Sequence, residues 1–182
     1  MQMYRREHYL AKLRPFYDDV GLIKVVTGIR RCGKSSLLCS VMDELRERGV
    51  AEGNICCINL DRREYQGVNT PEKLDAVIEH SLGKSASTRY LFIDEIQNVK
   101  GYEAIVNGWR EEGDCSIFIT GSNSYLLSGE LATKLTGRYI ELEMFTLSFS
   151  EYLGMREYLG LPQKPESQIF QEYLTYGAVS YT

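Results

Sequence analysis

Histidine, closely paired cysteine and surplus positive charge are all scarce in this chain, and each scarcity removes a class of function. Among 182 residues there are two histidines, His8 and His80, and five cysteines with no C-x-x-C spacing. A zinc site or a disulfide framework is therefore not expected. Cys39, Cys56, Cys57 and Cys115 fall in apolar contexts and read as small buried residues in a reducing compartment. Lysine and arginine number 21 against 25 acidic residues, a net charge of -4, so no global attraction draws the chain to nucleic acid or an anionic membrane. A local basic patch remains open at Arg5, Arg6, Lys12 and Arg14. Those residues and the pair Arg62-Arg63 read first as solvated surface charge. No apolar run approaches the ~18 residues of a membrane span, and the first residues, MQMYRREHYL, contain no apolar signal core. A cytoplasmic protein without a membrane partner is the expectation. No internal repeat is visible.

What is present is concentrated between Gly28 and Ser35. The segment Gly28-Ile29-Arg30-Arg31-Cys32-Gly33-Lys34-Ser35 fits the phosphate-binding pattern G-x-x-x-x-G-K-[ST]. It lies between an apolar strand, Leu22 to Val26, and a helix that begins near Gly33 and carries Leu37, Leu38, Val41 and Leu45 at helical spacing. Glycines at both ends let the main chain curl so that several amide N–H groups converge on one anion, and the helix N-terminus adds partial positive charge. Lys34 is expected to pair with the β and γ phosphates. The Ser35 hydroxyl is expected to be one ligand of Mg²⁺, with Ser36 completing the cradle. The helix dipole contributes only ~0.3 to 2 kcal/mol, whereas micromolar binding needs roughly 8 kcal/mol, so the amides, Lys34 and Mg²⁺ must supply most of the affinity. The chain has no guanine-reading N-K-x-D segment, which favours adenine over guanine as the base. Cys32, beside the helix N-terminus and two arginines, is expected to favour its thiolate and to be a point of oxidative inactivation.

The rest of the chain alternates strands with helices. Residues 4–18 read as a helix with Tyr9, Leu10, Leu13 and Phe16 on one side. Strands are predicted at 54–60, 90–93, 115–120 and 138–144, the last alternating as a half-exposed edge strand. Helices are predicted from Thr70-Pro71 to Gly83, over 102–112, over 124–135, from the capping box Ser148-Phe149-Ser150-Glu151 to Tyr158, and over 165–176. Residues 84–89 read as a polar connection. The pattern is that of an α/β domain with a parallel sheet and right-handed crossovers. The expected division is a core over 1–147 and a helical appendage over 148–182, the start of a lid or a linker.

Leu91-Phe92-Ile93-Asp94-Glu95 is an apolar strand ending in two carboxylates, and strand ends are where open α/β sheets bind ligands. Asp94 is expected to hold Mg²⁺ through its water shell, and Glu95 to orient or deprotonate the attacking water. The next strand ends Thr120-Gly121-Ser122-Asn123. Asn123 is the first choice for a residue touching the γ-phosphate or the lytic water, with Ser122 and Thr120 as alternatives and a helix cap as the competing role. Arg138 could reach a phosphate bound to a neighbouring subunit, or pair with Glu141 or Glu143. Tyr9 and Arg6 are candidates for touching the base, although core packing explains Tyr9 equally well.

Taken in order, GIRRCGKSSLL, LFIDEIQNV, FITGSNSYLLS, LTGRYIELEMFTLSFSEYL and YLTYG resemble the AAA-type ATP-binding proteins of bacteria and archaea that usually carry a C-terminal domain resembling restriction nucleases. The resemblance runs from about Arg6 to Gly177. It implies a P-loop NTPase fold of three layers, α/β/α, with sheet order 5-1-4-3-2. It also implies binding and hydrolysis of Mg·ATP by the matches Lys34, Ser35, Asp94 and Glu95, a sensor at Asn123, and an arginine acting in trans at Arg138 within a homo-oligomer. A nucleic-acid or protein client is the further partner that it suggests. Arg156 and Lys164 are the basic residues available downstream for a lid sensor, and neither sits in a convincing motif.

Overall fold

A computed structural model of the chain describes residues 3–82, 87–122, 135 and 137–177. Asn123 and the helix predicted over 124–135, Leu135 excepted, lie outside the described residues. So do Gly83 to Ala86 and Thr136.

Five strands, β1 (Ile23–Gly28), β2 (Ile55–Asn59), β3 (Arg89–Asp94), β4 (Cys115–Gly121) and β5 (Tyr139–Met144), form one sheet in the order β2-β3-β4-β1-β5. Every pairing is parallel. This is the implied order 5-1-4-3-2 read from the other edge, and the fold is a P-loop NTPase α/β/α sandwich. The three inner strands are buried along their whole length, which is why they read as mostly apolar runs, whereas β5 alternates because one face is open.

Helices cover both faces. On one side α1 (Glu7–Leu13) and α2 (Lys34–Glu47) pack Tyr9, Leu10, Leu13, Leu37, Leu38, Val41 and Leu45 onto Val26, Phe92 and Phe118. On the other, α3 (Pro71–Ser81) and α4 (Tyr102–Glu111) pack Leu74, Ile78, Val106 and Trp109 onto Ile58, Leu91, Ile93, Ile117 and Ile119. Thr70 caps α3 through its side chain, with Pro71 at the first helical position. Beyond the sheet, α5 (Phe149–Tyr158) opens on the Ser148–Glu151 capping box with both reciprocal bonds made. It is followed by α6 (Glu166–Glu172), which passes into a single wide turn over Tyr173–Gly177.

The structure corrects several local expectations. The first helix ends at Leu13 and tightens into a 3₁₀ turn over Arg14–Phe16, where Pro15 cannot continue an α-helical ladder. Tyr17, not Phe16, therefore fills the core. Arg89 belongs to β3 and is buried, with its guanidinium 2.7 Å from Asp114 and stacked 5.3 Å over the Trp109 ring. Of the four cysteines expected to be buried, Cys56 and Cys115 are, Cys39 is half-buried and Cys57 is exposed. β2 is an outer strand, so only its inward-facing residues are fully covered.

Candidate functional site: a phosphate loop facing two carboxylates

The loop after β1 is shaped by three residues with positive φ: Gly28 at 151°, Arg31 at 66° and Gly33 at 101°. Gly33 serves as N-cap of α2 without any side-chain cap bond, so the first-turn amides of α2 point into the loop uncapped. Ile29, Arg30, Arg31 and Ser35 are exposed, Gly33 and Ser36 are half-buried, and Cys32 and Lys34 are buried. The Lys34 ammonium folds back on its own loop. It donates to the carbonyls of Gly28 at 3.0 Å and Ile29 at 3.3 Å, and lies 3.9 Å from Glu95 Oε1.

The carboxylates reach this loop because the parallel sheet aligns strand ends. In register, Asn59 stands beside Asp94, Ile93 beside Ile119, and Thr27 beside Gly121. Asp94 is 3% exposed and both oxygens are held: Asn59 Nδ2 donates to Oδ2 at 2.8 Å and Thr120 Oγ1 donates to Oδ1 at 2.5 Å. Thr120 Oγ1 in turn accepts from the Glu95 N–H at 3.0 Å. Glu95 adopts a left-handed conformation, φ 59°, rare for a residue with a side chain and typical of sites that store strain. Its Oε2 accepts from the Gln97 side-chain amide.

Lys34, Glu95 and Asp94 thus converge with the amide-rich loop, and Ser35 lies at its rim. Thr120, one of the alternatives to Asn123, links Asp94 to Glu95. Asn59 was not singled out by sequence reasoning, and Gln97 entered only as part of the run LFIDEIQNV that carries the family resemblance, with no role of its own. The signal for Asn59 was available as a polar residue ending an otherwise apolar strand; the Gln97 contact depends on the φ of Glu95, which no spacing reveals. Arg138 does not join this cluster. It precedes β5 at the end of the sheet where Ile23 pairs with Tyr139, whereas the loop leaves the other end, where Gly28 pairs with Met144. Its side chain is 47% exposed and lies 3.5 Å from Glu111, rather than on Glu141 or Glu143; Glu141 instead accepts from Thr27.

Arg6 is buried and multiply bonded. It donates to Cys32 O at 3.0 Å and Phe145 O at 2.8 Å, and forms a two-point pair with Glu151, both contacts 2.8 Å. Burial would raise the Glu151 carboxyl, but Arg6 and the Ser148 amide bring it below its ordinary value. Tyr9 accepts from the Phe145 N–H, so these two residues tie the loop to the start of α5. The Cys32 expectation is reversed: burial pushes its thiol up and outweighs Lys34 and Arg6. Arg156 and Lys164 both pair with Glu172, joining α5 to α6.

Among the described residues no helix is long and apolar enough to cross a membrane, and no cluster of three or more His, Cys, Asp or Glu side chains could hold a metal ion by itself. Residues 21–153 match the family model of an AAA domain. An uncharacterized protein of Haemophilus influenzae is 41% identical over 175 residues, covering 96% of this chain and 43% of that protein. An uncharacterized protein of Methanocaldococcus jannaschii is 33% identical over 136 residues, 75% of this chain and 29% of that one. The chain therefore spans less than half the length of either relative. Among solved structures, the Aeropyrum pernix ORC1 protein in complex with DNA superposes with TM-score 0.62 at 14% identity, over 87% of this chain and 50% of that one.

Proposed function

The chain belongs to the AAA domain family, whose function is of the nucleotide-binding ATPase type, and from that premise we propose that it binds Mg·ATP in the loop Gly28 to Ser36 and hydrolyses it. The observation carrying this reading is the meeting of Lys34 with Glu95, 3.9 Å apart at the mouth of the loop. A triphosphate would draw the Lys34 ammonium off the loop carbonyls and take the amides of Arg30 to Ser36 as donors. The donor set fits Mg²⁺ as that ion is usually held, with one hydroxyl at Ser35, one carboxylate at Asp94 and the remainder from phosphate and water. When bound, the ion would neutralise charge on the β and γ phosphates. Glu95 would accept a proton from water as the water oxygen bonds to the γ-phosphorus and the bond to the ADP oxygen breaks, giving ADP and phosphate.

Titration calorimetry with and without magnesium, followed by a phosphate-release assay, tests this. Glu95→Gln retains ATP and loses turnover. Wild-type turnover in that variant removes Glu95 as base, and no magnesium-dependent binding of ATP or GTP to the folded chain removes the reading as a whole.

The position of Arg138 favours a second reading, an ATP-dependent switch in which assembly is the output and slow turnover the timer. An exposed arginine at the opposite end of the sheet from its own loop, 3.5 Å from Glu111, would reach a nucleotide only where that nucleotide is bound to a neighbouring subunit. In the first reading Arg138 completes the active site in trans. In the second, size analysis shows ATP-driven assembly with little phosphate release. Asn123 is retained as the sensor of either, and residues from 148 onward as the start of a lid. A nucleic-acid or protein client would act on the assembled form.

A further inference from the structure

We propose that Gln97 is a positioning residue that holds the Glu95 carboxylate for hydrolysis, a role that rests on the ATPase reading. Ile96 is fully buried and begins a 3₁₀ turn, Ile96–Asn98, directly after the left-handed Glu95. That reversal folds the side chains of residues 95 and 97 together, and Gln97 Nε2 donates to Glu95 Oε2. The sense of the bond is fixed by chemistry, because an ionised carboxylate only accepts and so must face the amide nitrogen. The Gln97 carbonyl oxygen then points elsewhere, buried and without a hydrogen-bond partner among the described residues. An uncompensated buried carbonyl is disfavoured, so packing alone does not explain a glutamine here. The contact with Glu95 does.

The two oxygens of Glu95 thus have two neighbours of different fate. Oε1 faces Lys34 at 3.9 Å, and a bound triphosphate competes for that ammonium. Oε2 faces Gln97, a neutral donor that phosphate has no electrostatic reason to displace. Once Lys34 turns to phosphate, Gln97 is what remains, among the described contacts, to keep the carboxylate from rotating away and to leave Oε1 free to take a proton. A carboxylate displaced by about 1 Å from the attacking water loses up to about a hundredfold in rate.

The test uses the purified chain with Mg·ATP and measures kcat and the Kd of ATP separately. Gln97→Ala and the volume-conserving Gln97→Met are expected to lower kcat by roughly ten- to a hundredfold with Kd within about twofold of wild type. In the Glu95→Gln background, single-turnover rates should show that adding Gln97→Met costs nothing more, since a residue acting through Glu95 has nothing left to position. Wild-type kcat in Gln97→Met overturns the inference. So does an equal loss in the Glu95→Gln background, or a loss expressed in Kd alone. Absence of turnover in the unaltered protein sinks the hydrolysis reading and this inference with it, whereas turnover that ignores Gln97 sinks only the inference.

Discussion

Met144 leaves no room for a side chain at Gly28: a Cβ built there would stand 2.5 Å from the Met144 carbonyl oxygen and 2.6 Å from Cys32 Sγ. The obstruction is backbone on one side and a buried sulfur on the other, and β1 and β5 are locked in register at this pair. The φ of 151° at Gly28 adds to the constraint. Gly28→Ala should therefore cost about 2–5 kcal/mol of stability and distort the loop. Thermal melting should register the first effect and nucleotide titration the second, as weakened binding even where the variant remains folded.

Lys34 is 4% exposed and its ammonium is satisfied by two loop carbonyls, so in the free protein it also braces the loop. Lys34→Ala removes the brace and the cation together. The Kd for ATP is expected to rise at least about a hundredfold, the scale seen when one member of a buried charge pair is truncated. Arg30→Ala, on an exposed loop residue, should cost far less under the same calorimetric titration.

The elements legible from residue order alone were those whose physics is local. Strands β1, β3 and β4 are buried on both faces and declare themselves as short, mostly apolar runs; the loop between Gly28 and Ser35 declares itself by two glycines at fixed spacing. The strand order came from the family resemblance, because five similar strands carry no label for their neighbours. The helix read over 4–18 ran through Pro15, which the helical spacing ignored, and so placed Phe16 in the core in place of Tyr17. That Asn59 and Thr120 both bond Asp94 was hidden for a different reason. Asn59 and Thr120 lie 35 and 26 residues from it, and only the register of three parallel strands brings them together. Gln97 was close in sequence but hidden by backbone conformation. The reversal at Cys32 shows burial outweighing nearby charge, and burial is not visible in a motif.

Asp94 is oriented by two donors, and the threonine has a second role in accepting from the Glu95 amide. Thr120→Val keeps the shape but removes the hydroxyl, leaving a buried carboxylate oxygen and a main-chain N–H each short of a partner. That should destabilise the fold by about 1–3 kcal/mol. It should also raise the magnesium concentration needed for tight ATP binding by roughly ten- to a hundredfold, as loss of a group that orients a metal ligand does. Asn59→Ala releases only one oxygen and should fall between wild type and Thr120→Val. Magnesium titrations at fixed ATP separate the three proteins, and identical midpoints would remove both residues from the metal site.

Lys24 has no exposed surface, although it is a lysine, the second residue of the inner strand β1. Its ammonium donates to Asp19 O at 2.5 Å, Leu22 O at 2.9 Å and Ser116 Oγ at 2.8 Å, and lies 4.8 Å over the Phe118 ring. Burial outweighs the nearby Asp19, Cys115 and Asp18 and lowers its pKa from 10.5 to about 8. Between those two values the unfolded chain still holds a proton that the folded chain has released, so stability contributed by this group rises with pH across that window. The rise is at most about 3 kcal/mol and is absent below the lower value, where both states are protonated. Buried thiols act in the opposite sense, Cys115 being pushed up to about 12 by desolvation; they are shared with a Lys24→Met variant, and only the part of Cys115 that Lys24 itself lowers fails to cancel in the difference. Urea unfolding of the two proteins near about pH 7 and about pH 10 should therefore show the wild type gaining on the variant at the higher pH. An unchanged difference would mean that Lys24 keeps its proton inside the fold, held by the three acceptors more firmly than burial opposes it.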